Sequence, residues 1–240
     1  MTKGYGTSGT WLDYLLNCFA GSRPVEISLG SLSSMAPPFG WLMTVSGCLF
    51  LNLDYMIGDL TTAGQQMIIR SRQRIAWFFS KCAWNIAGCF VYVLCLFVVT
   101  LIYAKLGGSE IDLTKASALA EESYEGFLML SEISVSKLWL VGIIIPVLTI
   151  VSLSLLQMTL CLFVKPIFSF MISMGLLMAG VYVVSPWMLT DEAMGIRNVL
   201  FCYSDATTIR SIIFPVVIGI GSIIAGVIRF RNTDILGMED

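Results

Sequence analysis

Long apolar runs unbroken by charge constrain this chain more than any motif it carries. From Leu138 to Val164 the sequence reads LWLVGIIIPVLTIVSLSLLQMTLCLFV, with no Asp, Glu, Lys or Arg. A helix needs about 20 such residues to cross a hydrocarbon core of roughly 30 Å, whereas a strand of a membrane barrel needs only about 10. Five windows meet the helical length: Pro38–Ile57, Cys82–Ala104, Leu138–Val164, Ile167–Leu189 and Ser211–Ile228. Composition agrees, with 57% hydrophobic and 12% charged residues. The expected fold is all-α, a polytopic transmembrane helix bundle of five spans in one membrane domain over 38–240, preceded by an extracytoplasmic segment over 1–37.

Orientation follows from Lys and Arg beside the span ends. Arg70, Arg72, Arg74 and Lys81 crowd the loop after the first window against the single acid Asp59, so this loop is expected in the cytoplasm. Alternation then puts 105–137 and 190–210 outside. The N-terminus also falls outside, although Met1–Ala36 has no signal-like apolar run. A sixth span upstream of Met1 would restore an even count, and a short, nearly uncharged tail that crosses unaided is the other reading. Within the outer segments, Trp11-Leu12-Asp13-Tyr14-Leu15-Leu16 with Phe19 reads as an interfacial helix, and Leu113–Leu130 as a second helical stretch bearing Glu121, Glu122 and Glu125.

Several chemistries are missing. The chain has no histidine, which excludes His-ligated haem, zinc sites built on His and Ser–His hydrolysis. Its seven cysteines form no C-x-x-C pair. No P-loop matches, so the chain is read as not an enzyme, with no cofactor and no metal of its own. Ion-driven carriers place charge at mid-membrane depth, yet only Asp54 lies inside a window, close to its cytoplasmic end. A bundle of this kind must be moved by another subunit.

Polar and small residues inside the windows mark helix contacts. Thr149, Ser152, Gln157 and Thr159 in the third window suit interhelical hydrogen bonds or a polar path. Gly221-x-x-x-Ala225, Ser222-x-x-x-Gly226, Ser169-x-x-x-Ser173 and Gly175-x-x-x-Ala179 allow close approach within one subunit or between two. Pro146 and Pro215 are expected to kink their helices.

The cytoplasmic loop carries a specific order of residues. Thr61–Phe79 can form an amphipathic surface helix, with Met67, Ile68, Ala76 and Phe79 apolar and the arginines facing phosphates or an acidic partner. Leu53-Asp54-Tyr55-Met56-Ile57-Gly58-Asp59-Leu60 leads through Gly64-Gln65-Gln66 and Ile69-Arg70-Ser71-Arg72-Gln73-Arg74 to Trp77-Phe78-Phe79-Ser80-Lys81-Cys82-Ala83-Trp84-Asn85. Together with Trp11-Leu12-Asp13-Tyr14-Leu15 and Pro38-Phe39-Gly40-Trp41-Leu42, this run resembles the permease subunits of ABC-2-type ATP-binding-cassette exporters for drugs, antibiotics and peptides in Gram-positive bacteria. The resemblance covers about residues 11–92; only hydropathy extends it further.

The resemblance implies a multi-pass protein of the bacterial plasma membrane that exports an amphiphilic or hydrophobic substrate. It implies a coupling segment over 61–81, in which Gln65, Gln66, Arg70, Arg72, Arg74, Trp77 and Lys81 meet a separate ABC ATPase subunit. That subunit would bind ATP and Mg, and a second permease copy or paralogue would complete the transporter in the lipid bilayer. Nucleic acid is not an expected partner. A second reading remains open, a non-transporting immunity or sensor protein whose acidic outer loop binds a toxic peptide.

Overall fold

The computed structural model describes residues 10–22, 37–53, 55–60, 74–113, 134–183, 185, 187–201 and 205–232. Among them the chain is helical, with one isolated bridge between Thr10 and Glu110. Three of the described helices are long and apolar enough to cross a membrane: Arg74–Leu106, Val135–Leu160 and Thr207–Arg231. They correspond to the second, third and fifth apolar windows.

In chain order the described helices are α1 (Trp11–Phe19), α2 (Phe39–Leu51), α3 (Tyr55–Leu60), α4 (Arg74–Leu106), α5 (Val135–Leu160), α6 (Pro166–Tyr182), α7 (Gly195–Phe201) and α8 (Asp205–Asn232). The first and fourth windows hold shorter helices than their hydropathy suggests. α2 has 13 residues and α6 has 17. At a rise of 1.5 Å per residue these measure about 20 Å and about 26 Å, short of a core of roughly 30 Å. α2 stops because the Asn52 side chain turns back and donates to the Cys48 carbonyl at 3.1 Å, while the Leu53 N–H bonds to Phe50 O at 3.1 Å. Such a tight turn competes with the helical ladder, and a hydropathy window does not see it.

α5 is the central helix. In its apolar window 67% is buried, against 17% for α4 and 28% for α8. Four of its polar residues, Ser152, Ser154, Gln157 and Thr159, bond to neighbouring helices, while Thr149 donates to Ile145 O one turn back in α5 at 2.9 Å. Ser152 donates to Pro215 O of α8 at 2.7 Å and Thr159 to Ser222 O at 2.9 Å. Ser154 donates to Asn85 Oδ1 of α4 at 2.7 Å, and Gln157 to Leu49 O of α2 at 3.0 Å. From α6, Ser169 returns a bond to Gln157 O at 2.7 Å. Inside a bilayer such bonds contribute about 0.6 kcal/mol each, so this set supplies roughly 3 kcal/mol and fixes the register of α5 against its neighbours.

The small-residue spacings divide into two groups. A Cβ at Gly226 would overlap the Phe78 ring, and Ser169, Ser173 and Ser222 are buried, so these positions join helices of one chain. Gly175 and Gly221 have open space where a Cβ would stand.

α1 is the short helix expected near the N-terminus. Leu12, Leu15, Leu16 and Phe19 are buried among α2, α4 and α5. Its start is fixed by the Thr10 N–H donating to Asp13 Oδ2 at 2.7 Å, and the Trp11 indole reaches Thr100 Oγ1 on α4 at 3.0 Å. The outer stretch read as helical over Leu113–Leu130 lies outside the described residues beyond Leu113.

Candidate functional site

Three of the residues assigned to coupling open α4. Arg74, Trp77 and Lys81 follow at i, i+3 and i+7, which puts them on one side of a helix. Gln65, Gln66, Arg70 and Arg72 lie outside the described residues, as does Asp54.

Lys81 is the hub of this end of the bundle. Its ammonium lies 2.6 Å from Asp59 Oδ2 and donates to the Tyr55 hydroxyl at 2.9 Å, both on α3. It also stands over the Tyr55 ring at 4.5 Å and the Trp77 ring at 5.1 Å. Tyr55 stacks on Trp84, with ring centres 5.8 Å apart. The lysine stem is thereby wrapped in aromatic carbon while its charge is matched by a carboxylate, so burying it carries little penalty. Lys81 thus spends its bonding capacity within the chain, tying α3 to α4.

Trp77 ties the same end to α8. It stacks on Phe230 at 5.3 Å, and Phe78 stacks on the same ring at 5.8 Å. Gly226, one turn before Phe230, lets Phe78 lie against the helix backbone. The Arg229 guanidinium covers the Phe163 ring at 5.2 Å, joining α8 to the turn between α5 and α6. The start of α4 is thus joined to α3 through Lys81 and to α8 through Trp77. Sequence reasoning singled out Arg74, Trp77 and Lys81 but missed Tyr55 and Phe230, whose place depends on a fold that pattern reading does not supply. Asp59 was visible as the one acid in a basic loop.

A second polar centre occupies the opposite end of the bundle. Arg197, in the first turn of α7, has no side-chain exposure and lies 2.5 Å from Asp191 Oδ1. Its guanidinium also donates to Gly180 O at 2.5 Å, Val181 O at 2.7 Å and Ser22 O at 3.0 Å. These carbonyls end α6 and follow α1, where helix termini leave acceptors without intrahelical donors. One arginine thus gathers the C-terminal ends of two helices. The same loop is held by the Trp41 indole donating to Ala193 O at 2.8 Å and the Ile196 N–H donating to Ala20 O at 2.9 Å. Gly21 adopts φ 76°, and Met194 fills the space a side chain there would need.

Glu192 in this loop is buried, and burial pushes its carboxyl above the ordinary range, opposed by a hydrogen bond from Ser211 and by Arg210 at 3.5 Å. Sequence reasoning assigned no role to this cluster. Arg197 follows Asp191 and Glu192 in a short polar stretch, which reads equally as a solvated loop.

Among the described residues no group of three or more Cys, Asp or Glu is placed to hold a metal ion. Ionic and aromatic contacts join the helices at the Lys81 end of the bundle, and an ion pair with carbonyl bonds joins them at the Arg197 end. No curated protein and no solved structure matches the chain. A family model described as Protein of unknown function (DUF2705) matches residues 12–236, and the chain belongs to that family.

Proposed function

We propose that this chain is the membrane-spanning permease subunit of an ABC exporter in a bacterial plasma membrane, moving an amphiphilic or hydrophobic solute when a separate ATPase subunit binds and hydrolyses ATP with Mg. The observation that supports this reading most is the joint at the start of α4. Lys81 binds Asp59 and Tyr55 of α3 while Trp77 stacks on Phe230 of α8, so a push delivered to the 61–81 segment has two rigid outlets into the bundle. Packed side chains with two discrete arrangements transmit such motion better than a flexible tether.

In this mechanism Gln65, Gln66, Arg70, Arg72 and Arg74 meet the ATPase subunit, and Trp77 and Lys81 pass its movement on. Five crossings, with α2 and α6 as the two short ones, and pairing with a second permease complete the transporter. Affinity purification of the tagged chain in mild detergent tests this directly. A chain carrying a P-loop should co-elute, and joint charge reversal of Arg70, Arg72 and Arg74 should remove it while membrane insertion persists. Unchanged recovery of the same partners from the triple variant overturns the coupling assignment. Export without a nucleotide-hydrolysing companion overturns the whole reading.

A further inference from the structure

Gly47-Cys48 on α2 and Gly88-Cys89 on α4 are the same dipeptide, and the fold sets one against the other. Each glycine makes room for a polar group from across the contact. A Cβ at Gly47 would stand 2.8 Å from the Tyr92 hydroxyl, which donates to Thr44 O at 2.9 Å, and a Cβ at Gly88 would stand 2.8 Å from Asn52 Oδ1. The missing side chains let the two helices approach closely beside both cysteines.

Both thiols are wholly buried, yet polar groups are spent on them. The Asn52 amide nitrogen donates to Cys89 Sγ at 3.6 Å and to Cys48 Sγ at 4.0 Å. Cys89 in turn donates to Asn85 Oδ1 at 3.7 Å, and the same oxygen accepts from Ser154 at 2.7 Å. A side-chain hydrogen bond between the two thiols completes the set. Cysteines acting only as small apolar filling require none of these partners.

We propose that Cys48 and Cys89 are a redox pair that closes to a disulfide on exposure to hydrogen peroxide, bolting α2 to α4 inside the bundle. The Cys89 sulfur attacks one peroxide oxygen; an S–O bond forms, the O–O bond breaks, and the departing hydroxide takes the thiol proton as water. Asn52 stands nearer this sulfur, so charge developing on it meets a donor. The Cys48 sulfur then attacks the sulfenic sulfur of Cys89. An S–S bond forms, the S–O bond breaks, and a second water leaves with the Cys48 proton. In sum, two thiols and one peroxide give one disulfide and two waters, with two electrons passing from sulfur to oxygen.

The sulfurs start as hydrogen-bonded neighbours, and a bond of about 2.05 Å asks for rotation of both side chains and a small approach of the helices. Burial sets the rate and the persistence. Peroxide is small and uncharged, whereas a thiol reductant is larger and must reach the same interior, so the bond forms slowly and outlasts the exposure. This site does not depend on the transport reading.

The test uses the full chain in membrane vesicles, first reduced with dithiothreitol and then treated with hydrogen peroxide over a time course. Remaining thiols are alkylated on denaturation, and the digest is read by mass spectrometry. A Cys48–Cys89 linked peptide, two hydrogens lighter than the separate pair and split by dithiothreitol, should exceed every other linkage among Cys18, Cys82, Cys95 and Cys161 about fivefold. This readout needs no substitution.

Cys48→Ser should abolish the linked peptide and leave Cys89 trapped as the sulfenic acid, captured by dimedone. Asn52→Leu should slow linkage about fivefold. Recovery of both cysteines as free thiols under peroxide that oxidises the exposed Cys95 overturns the proposal. So does linkage of Cys48 or Cys89 to the remaining cysteines in equal amounts, or a Cys48–Cys89 link that appears only after denaturation.

Discussion

The guanidinium of Arg197 and the carboxylate of Asp191 lie 2.5 Å apart with the arginine wholly removed from solvent. A buried pair of this kind contributes little over a well-packed apolar pair, but losing one partner strands the other charge. Arg197→Met should therefore destabilise the chain by about 3–5 kcal/mol. Thermal unfolding in detergent measures it. Pairing the change with Asp191→Asn should recover part of the loss, and strict additivity would show that the two residues are not coupled.

At the other end, Lys81→Met should release α3. Asp59→Asn should do the same, each costing about 1–2 kcal/mol, and the double variant should cost no more than either alone. Hydrogen exchange of the α3 amides is the readout. Faster exchange in α3, with the central turns of α5 unchanged, is the expected pattern.

Gly226 and Gly221 are predicted to behave oppositely. Phe78 occupies the space a Cβ would need at Gly226, whereas nothing stands within 4 Å of one at Gly221. Gly226→Ala should cost about 1–3 kcal/mol by overpacking. Gly221→Ala should leave the unfolding temperature of the single chain unchanged or slightly raised, as alanine favours helix.

Glu192 supplies a pH signature. Burial lifts its folded-state pKa above the ordinary 4.5, so the folded chain takes up this proton more readily than the unfolded chain. Stability from this group is fully present below 4.5, and it is lost as pH rises through the window between 4.5 and the raised value. Unfolding temperature followed across that window should slope downward with pH in the native chain, and Glu192→Gln should flatten the slope.

Hydropathy made α4, α5 and α8 legible, because a long charge-free run has few alternatives to a buried or membrane helix. The ends of α2 and α6 were not legible. They are set by Asn52 turning onto Cys48 O and by the extended backbone after Tyr182, events smaller than the averaging window. The polar residues of α5 announced contacts but not partners; that Ser154 meets Asn85 and Gln157 meets Leu49 O depends on helix register.

At the candidate joint, helical spacing gathered Arg74, Trp77 and Lys81, since one element carries all three. Tyr55 and Phe230 reach the same place from distant parts of the chain, and no local pattern links them. Arg197 shows the same limit, because nothing in its flanking residues tells a solvated loop arginine from one that closes two helix ends.

A final consequence comes from the break after α2. Phe39, Met43, Phe50 and Leu51 are exposed along this helix, so on the five-crossing reading proposed above acyl chains lie against it, and its length is about 10 Å short of a normal bilayer's hydrocarbon depth. On that reading headgroups should follow the amide of Asn52 inward, at a cost of some fraction of a kcal/mol for each ångström of mismatch. On the five-crossing reading, the bilayer around this chain should dimple on that flank. Thinner membranes should therefore suit the protein better than thick ones.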